Sequence, residues 1–76
     1  MSDYGKALGE RLRAERNGQG LSLREVEAKS GGRWNSVTVG SYERGDRAIG
    51  VERLAELAGF YGIPVVDLLP DAGGAS

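Results

Sequence analysis

Asn35-Ser36-Val37-Thr38-Val39-Gly40-Ser41-Tyr42-Glu43-Arg44-Gly45 is the stretch whose conformation decides the fold. Val37-Thr38-Val39 is β-branched, and Trp34, Ser36, Thr38 and Gly40 alternate with Val37 and Val39, the pattern of a short strand. Such a strand would have no pairing partner in an otherwise helical chain. Asn35 and Ser36 offer N-caps for a helix, and Gly45 offers a C-terminal cap after Arg44. A helix over about 36–44 puts Val39 and Tyr42 on its inner face and leaves Ser36, Val37, Gly40, Ser41 and Arg44 outward. On these residues alone, strand and helix both remain open.

The segments on either side are clearer. Over residues 3–17, Tyr4, Leu8 and Leu12 recur at i, i+4 and i+8, with Ala7 and Arg11 flanking and Arg16 continuing the stripe. Asn17-Gly18-Gln19-Gly20 stops this first helix. Ser22-Leu23-Arg24-Glu25 is a capping-box pattern that opens a second helix running to about Ser30. This helix is expected to bury Leu23 and Val26 and to end at Gly31-Gly32. Downstream, Ile49 anchors a turn and residues 51–61 form a periodic helix with Val51, Leu54, Leu57, Ala58 and Tyr61 on one side. Gly62 closes that helix, Pro64 opens a short last one, and Val65, Leu68 and Leu69 complete the core. The pattern predicts an all-α, compact five-helix domain over residues 1–69. Residues 70–76 lose all periodicity and read as a flexible tail or the start of a linker to a missing C-terminal domain.

Composition narrows the function. A chain of 76 residues without Cys or His has no disulfide and none of the usual zinc sites, so packed helices must supply its stability. No apolar run approaches the roughly 20 residues of a membrane span, and Met1-Ser2-Asp3 does not begin a signal peptide. We therefore expect a cytoplasmic, nucleoid-associated protein with no membrane partner. Net charge is −1, yet all ten Lys and Arg lie within residues 1–53 beside eight acids, whereas residues 54–76 carry three acids and no cation. Local charge matters more than the sum for a polyanionic partner. No nucleophile system, phosphate loop or carboxylate cluster is present, so neither enzyme activity, cofactor nor metal is expected.

Leu12, Arg16, Gly20-Leu21-Ser22, Val26, Val39, Tyr42-Glu43-Arg44-Gly45, Leu54-Ala55-Glu56-Leu57-Ala58 and Gly62-Ile63-Pro64 with Asp67-Leu68-Leu69 together resemble the helix-turn-helix repressors of the phage-repressor/XRE type. The resemblance spans about residues 8–69 and implies a lambda-repressor-like domain. Gly32-Arg33-Trp34 and Gly40-Ser41-Tyr42-Glu43-Arg44-Gly45-Asp46-Arg47 carry a closer likeness to the BldD-like developmental regulators. The likeness requires residues 36–44 to be the recognition helix, and on that ground the helix is preferred to the strand. It implies that Arg16 and Glu43 form a structural ion pair, and that Ser36, Val37 and Ser41 contact bases. It places Arg33, Asn35, Arg44, Arg47 and Arg53 at DNA phosphates.

This sequence departs from the family pattern at three places. The turn through Gly31-Gly32-Arg33-Trp34 is two residues longer than usual. Leu23 replaces a polar residue that often meets phosphate, and Glu27 stands where a small residue usually sits. Trp34 is read as a core plug rather than a stacking residue. Tyr4, Tyr42 and Tyr61 are read as core residues with hydroxyls at the rim, and Arg33 as a phosphate contact or a solvated cation. The implied function is sequence-specific binding of double-stranded DNA by a transcriptional regulator, expected to be a repressor. Two copies would sit on a palindromic operator, as a homodimer formed through the missing C-terminal domain. The alternative is a protein-interaction module, an antitoxin or coactivator-like adaptor on the same fold.

Overall fold

Residues 36–44 are helical, and both ends show why. In the computed structural model, which describes residues 3–70, the Asn35 side chain accepts the N–H groups of Val37 and Thr38 at 2.8 and 3.3 Å. Gly45 ends the helix in the left-handed region at φ +78°, donating its own N–H back to the last turn. The β-branched run is thereby divided around a helix instead of alternating along a strand. Val39 is fully buried, Thr38 half-buried and Val37 exposed. Local capping and burial together outweigh an intrinsic strand preference worth a fraction of a kcal/mol per residue, on the order of 0.5.

Four α-helices carry the fold: α1 (Asp3–Gly18), α2 (Leu23–Lys29), α3 (Ser36–Arg44) and α4 (Val51–Tyr61). Ser22 and Glu25 form the capping box at the start of α2, each side chain bonding the other's backbone N–H. The expected fifth helix is a single 3-10 turn, Val65–Leu68. Its four residues lie between Pro64 and an extended Leu69, with Asp67 N–H bonded to Pro64 O and Leu69 N–H to Val66 O. That is too short a run for an α-helical ladder, and i→i+3 bonds suffice. The expected tail beyond Pro70 lies outside the described residues.

Leu12, Val26, Val39, Leu57 and Leu68 form the centre of the core, with Trp34, Tyr42, Leu54, Ala58 and Tyr61 around them. Two residues expected on core stripes are outside it: Tyr4 is 48% and Val51 82% exposed. Both stand in the first turn of a helix, where the Cα–Cβ bond points back past the helix start and away from its covering neighbours. Gly40, expected outward, is buried against Leu23 and the Arg44 side chain. Leu23 itself is only partly buried. The Tyr61 hydroxyl, expected at the rim, is buried with no hydrogen-bond partner among the described residues.

The closest approach in the fold occurs at Gly9. A Cβ there would lie 2.4 Å from the Glu43 carbonyl oxygen and 2.6 Å from that of Tyr42. The C-terminal turn of α3 thus rests directly on the backbone of α1. Gln19 fastens the far end of α1 to α4, its Nε2 donating to the Tyr61 carbonyl at 2.7 Å. Among the described residues, no helix is long and apolar enough to cross a membrane.

Candidate nucleic-acid interface

Three connections fix α3 to the rest of the molecule. The first is the pair Arg16–Glu43, in which Nε meets Oε2 at 2.7 Å and Nη2 meets Oε1 at 2.8 Å. Both residues are 9% exposed, and Arg16 Nη1 also donates to the Leu21 carbonyl at 2.8 Å, so helix α1, helix α3 and the approach to α2 meet at one guanidinium. Donation to the Glu43 carboxylate raises the Arg16 pKa above its ordinary value, against burial, which lowers it. A charge-assisted fork of this kind fixes direction as well as distance.

The second connection is the turn between α2 and α3. Gly31 and Gly32 both have positive φ, which lets the chain double back within two residues. Ser30 Oγ donates to the Glu27 carbonyl at 3.1 Å and accepts the Trp34 N–H at 3.0 Å, while the indole fills the core at 2% exposure. The Ser36 N–H donates to Glu27 Oε1 at 2.9 Å. Arg33, expected at phosphate or in solvent, makes a two-bond fork to Glu56 of α4 at 2.5 and 2.6 Å and lies 5.3 Å from the Trp34 ring centroid. Its guanidinium holds the Glu56 carboxyl below the usual carboxylate range. The third connection is the contact at Gly9.

What α3 leaves outward is small until its last residue, Arg44. Val37 is 73% exposed, and Ser36 and Ser41 are half-exposed. Ser41 Oγ donates to the Val37 carbonyl at 3.1 Å and accepts a long bond of 3.4 Å from Arg44 Nη2. Arg44 also pairs with Asp46 at 2.9 Å on the exposed surface. Asn35 is exposed, with its Oδ1 occupied as the cap and its amide hydrogens unpartnered among the described residues.

Open clefts lined by arginines surround this helix. One, about 650 Å³, lies between Thr38 and Tyr42 of α3, Arg47 of the following loop and Arg53 in the first turn of α4, a helix with no side-chain cap. A second, about 430 Å³, is lined by Arg24, Glu27 and Ser36, and a third, about 250 Å³, by Arg13, Gly40 and Arg44. Arg13 and Arg24 were not singled out in the sequence. Nothing in the local pattern separates them from other exposed helical cations, and only the packing of α1 and α2 brings them beside α3. Arg13, Arg24 and Arg47 make no ion pair among the described residues, so their full charge faces these clefts.

Residues 12–68 match the model of a helix-turn-helix family. The solved structure of the S. venezulae BldD DNA-binding domain is 68% identical, with a TM-score of 0.89 over 91% of this chain and 100% of that one. A crystal structure of the DNA-binding domain of BldD is 67% identical, with a TM-score of 0.90 over 92% and 99% of the two chains. The clp gene regulator ClgR from C. glutamicum is 32% identical, with a TM-score of 0.80 over 99% and 95%. No curated protein matches.

Proposed function

The chain belongs to the XRE-type helix-turn-helix family, with BldD DNA-binding domains among its near relatives, and from that membership we propose a transcriptional repressor whose α3 reads the major groove of double-stranded DNA. The observation that carries this reading is a short helix fixed to its neighbours at three places, with Ser36, Val37 and Ser41 outward and a large outward side chain, Arg44, only at its end. A groove-reading helix needs both properties, since side chains must approach base edges closely and be held at a defined angle. Binding of this kind is not enzymatic, in keeping with the family.

Ser36 and Ser41 are assigned to hydrogen bonds with base edges and Val37 to a thymine methyl. Arg44, Arg47 and Arg53 are assigned to phosphate, with the Asn35 amide beside them. Arg33 belongs to the same set only if it leaves Glu56, and we assign it first to holding the turn. Phosphate contacts set orientation and most of the affinity, whereas base contacts set the sequence. One domain of this size covers few base pairs, so the proposal includes two copies on a palindromic operator with half-sites about one helical turn apart.

Selection of binding sites from random duplex DNA tests the reading, with wild type beside Ser41→Ala and Arg47→Ala. A palindromic motif is expected. Ser41→Ala should change the preferred base at one position in each half-site, and Arg47→Ala should weaken all sequences alike. A folded wild type that enriches no motif even when two copies are joined by a fused dimerising segment would refute it in favour of the protein-binding alternative.

A further inference from the structure

The start of α3 distributes its free N–H groups unusually. The donors at the first three helical positions have no partner within the helix itself. Asn35 takes those of Val37 and Thr38, and Glu27 takes that of Ser36. Asn35 belongs to the same continuous segment and moves with the helix. Glu27 is nine residues earlier, on α2, and its bond is the one side-chain hydrogen bond from α2 to α3 among the described residues. The connection between them passes through two left-handed glycines, which restrict the backbone little. Trp34 anchors that connection in the core, and the Arg33–Glu56 fork and the Ser30–Trp34 bond hold the turn, but all of these act before the helix begins. The Glu27 bond lies two residues beyond Trp34 and ties the first turn of α3 itself to α2.

We propose that Glu27 is a positioning residue for base reading: by accepting the Ser36 N–H it sets the angle at which the first turn of α3 meets the DNA. The proposal rests on the assignment of α3 as the recognition helix. It also explains the division of labour around the helix. A helix start with free N–H groups attracts phosphate. With its three donors occupied, the start of α3 offers phosphate no free backbone N–H, and the Asn35 amide is the group assigned to phosphate there. Arg24, in the same cleft, is the charged neighbour facing Glu27.

The test uses the full chain with Glu27→Gln, Glu27→Asp and Glu27→Ala. Gln keeps an acceptor at the same reach without the charge, Asp keeps the charge but falls short, and Ala removes both. Val37→Ala first maps the base pair read by the first turn, as the position where that variant's preference changes. Glu27→Gln should keep the wild-type preference there. Glu27→Asp and Glu27→Ala should lose roughly five- to tenfold of it, the scale of a lost cap, with preference at the Ser41 position retained. Glu27→Asp alone carries the comparison if the alanine variant does not fold. A lower melting temperature with intact base preference in both variants would overturn the proposal, as would Glu27→Gln behaving like Glu27→Ala. A wild type without base preference would instead remove the recognition-helix reading on which it rests.

Discussion

Glu43 has a single charged partner in the interior, and the cost of removing either member exceeds what the pair contributes. Arg16→Ala or Glu43→Ala leaves one uncompensated buried charge and should lower stability by about 3–5 kcal/mol in urea titrations. Replacing both with apolar residues, Arg16→Met with Glu43→Leu, should cost much less than either single change, because no charge is left without a partner. Equal losses in the single and double variants would show that packing, rather than charge, dominates the site. Tyr61 gives a second residue-scale prediction. Burial pushes its phenol up from 10.0 to about 12, with Glu43 adding to the rise. The folded state therefore favours the protonated form, and this stability is complete below pH 10 and lost as pH rises from 10 to about 12. Tyr61→Phe removes both the titration and an unpartnered buried hydroxyl. It should be neutral or stabilising at pH 7 and should unfold less steeply between pH 10 and 12. An unchanged alkaline profile would place the titration on other tyrosines.

At the scale of the element, α3 shows where a sequence pattern and a fold part company. Its bounds were legible from Asn35 and Gly45, but its existence was not, because Val37-Thr38-Val39 favours a strand and the caps need the tertiary burial of Val39 and Tyr42 beside them to reverse that preference. The start of α2 was fully legible, since Ser22 and Glu25 bond each other's backbone and need no distant partner. The devices that hold α3 were mostly hidden. Arg16 and Glu43 were matched by family resemblance, whereas Gly9, Glu27 and the Arg33–Glu56 fork depend on helices meeting across the fold and leave no mark at a fixed spacing. Two substitutions separate local from tertiary contributions. Asn35→Ala removes the acceptor for two N–H groups and should cost about 1 kcal/mol, with Asn35→Asp close to wild type. Gly40→Ala should stabilise by about 0.5–1 kcal/mol through helix propensity. Its new methyl meets the end of the Arg44 side chain at 3.2 Å, and that exposed guanidinium can move aside. Gly9→Ala should do the reverse and destabilise by about 1–3 kcal/mol or more, since the clash is with backbone that cannot yield. Thermal melts of the two alanine variants, run together, would expose an error in either assignment, because opposite signs are required.

For the whole molecule, net charge is a poor guide and its placement a good one. The chain totals −1, yet Arg13, Arg24, Arg47 and Arg53 line the clefts around α3, while the last 23 residues carry only acids among their charged side chains. A polyanion approaching α3 meets Arg13, Arg24, Arg47 and Arg53, none of them in an ion pair among the described residues. Affinity for DNA should therefore fall with salt, at a modest slope, even though the protein is slightly acidic. With roughly three to five phosphate contacts per domain, log affinity against log salt should have a slope of about −3 to −4.5 for one bound copy. Arg47→Ala should make the slope shallower by about 1 and leave base preference intact. Two copies on a palindrome would double the slope relative to an isolated half-site, so the same titration on both DNAs also measures copy number. Equal slopes on palindrome and half-site would mean that one domain binds alone, and a flat response on both would remove the phosphate assignments altogether.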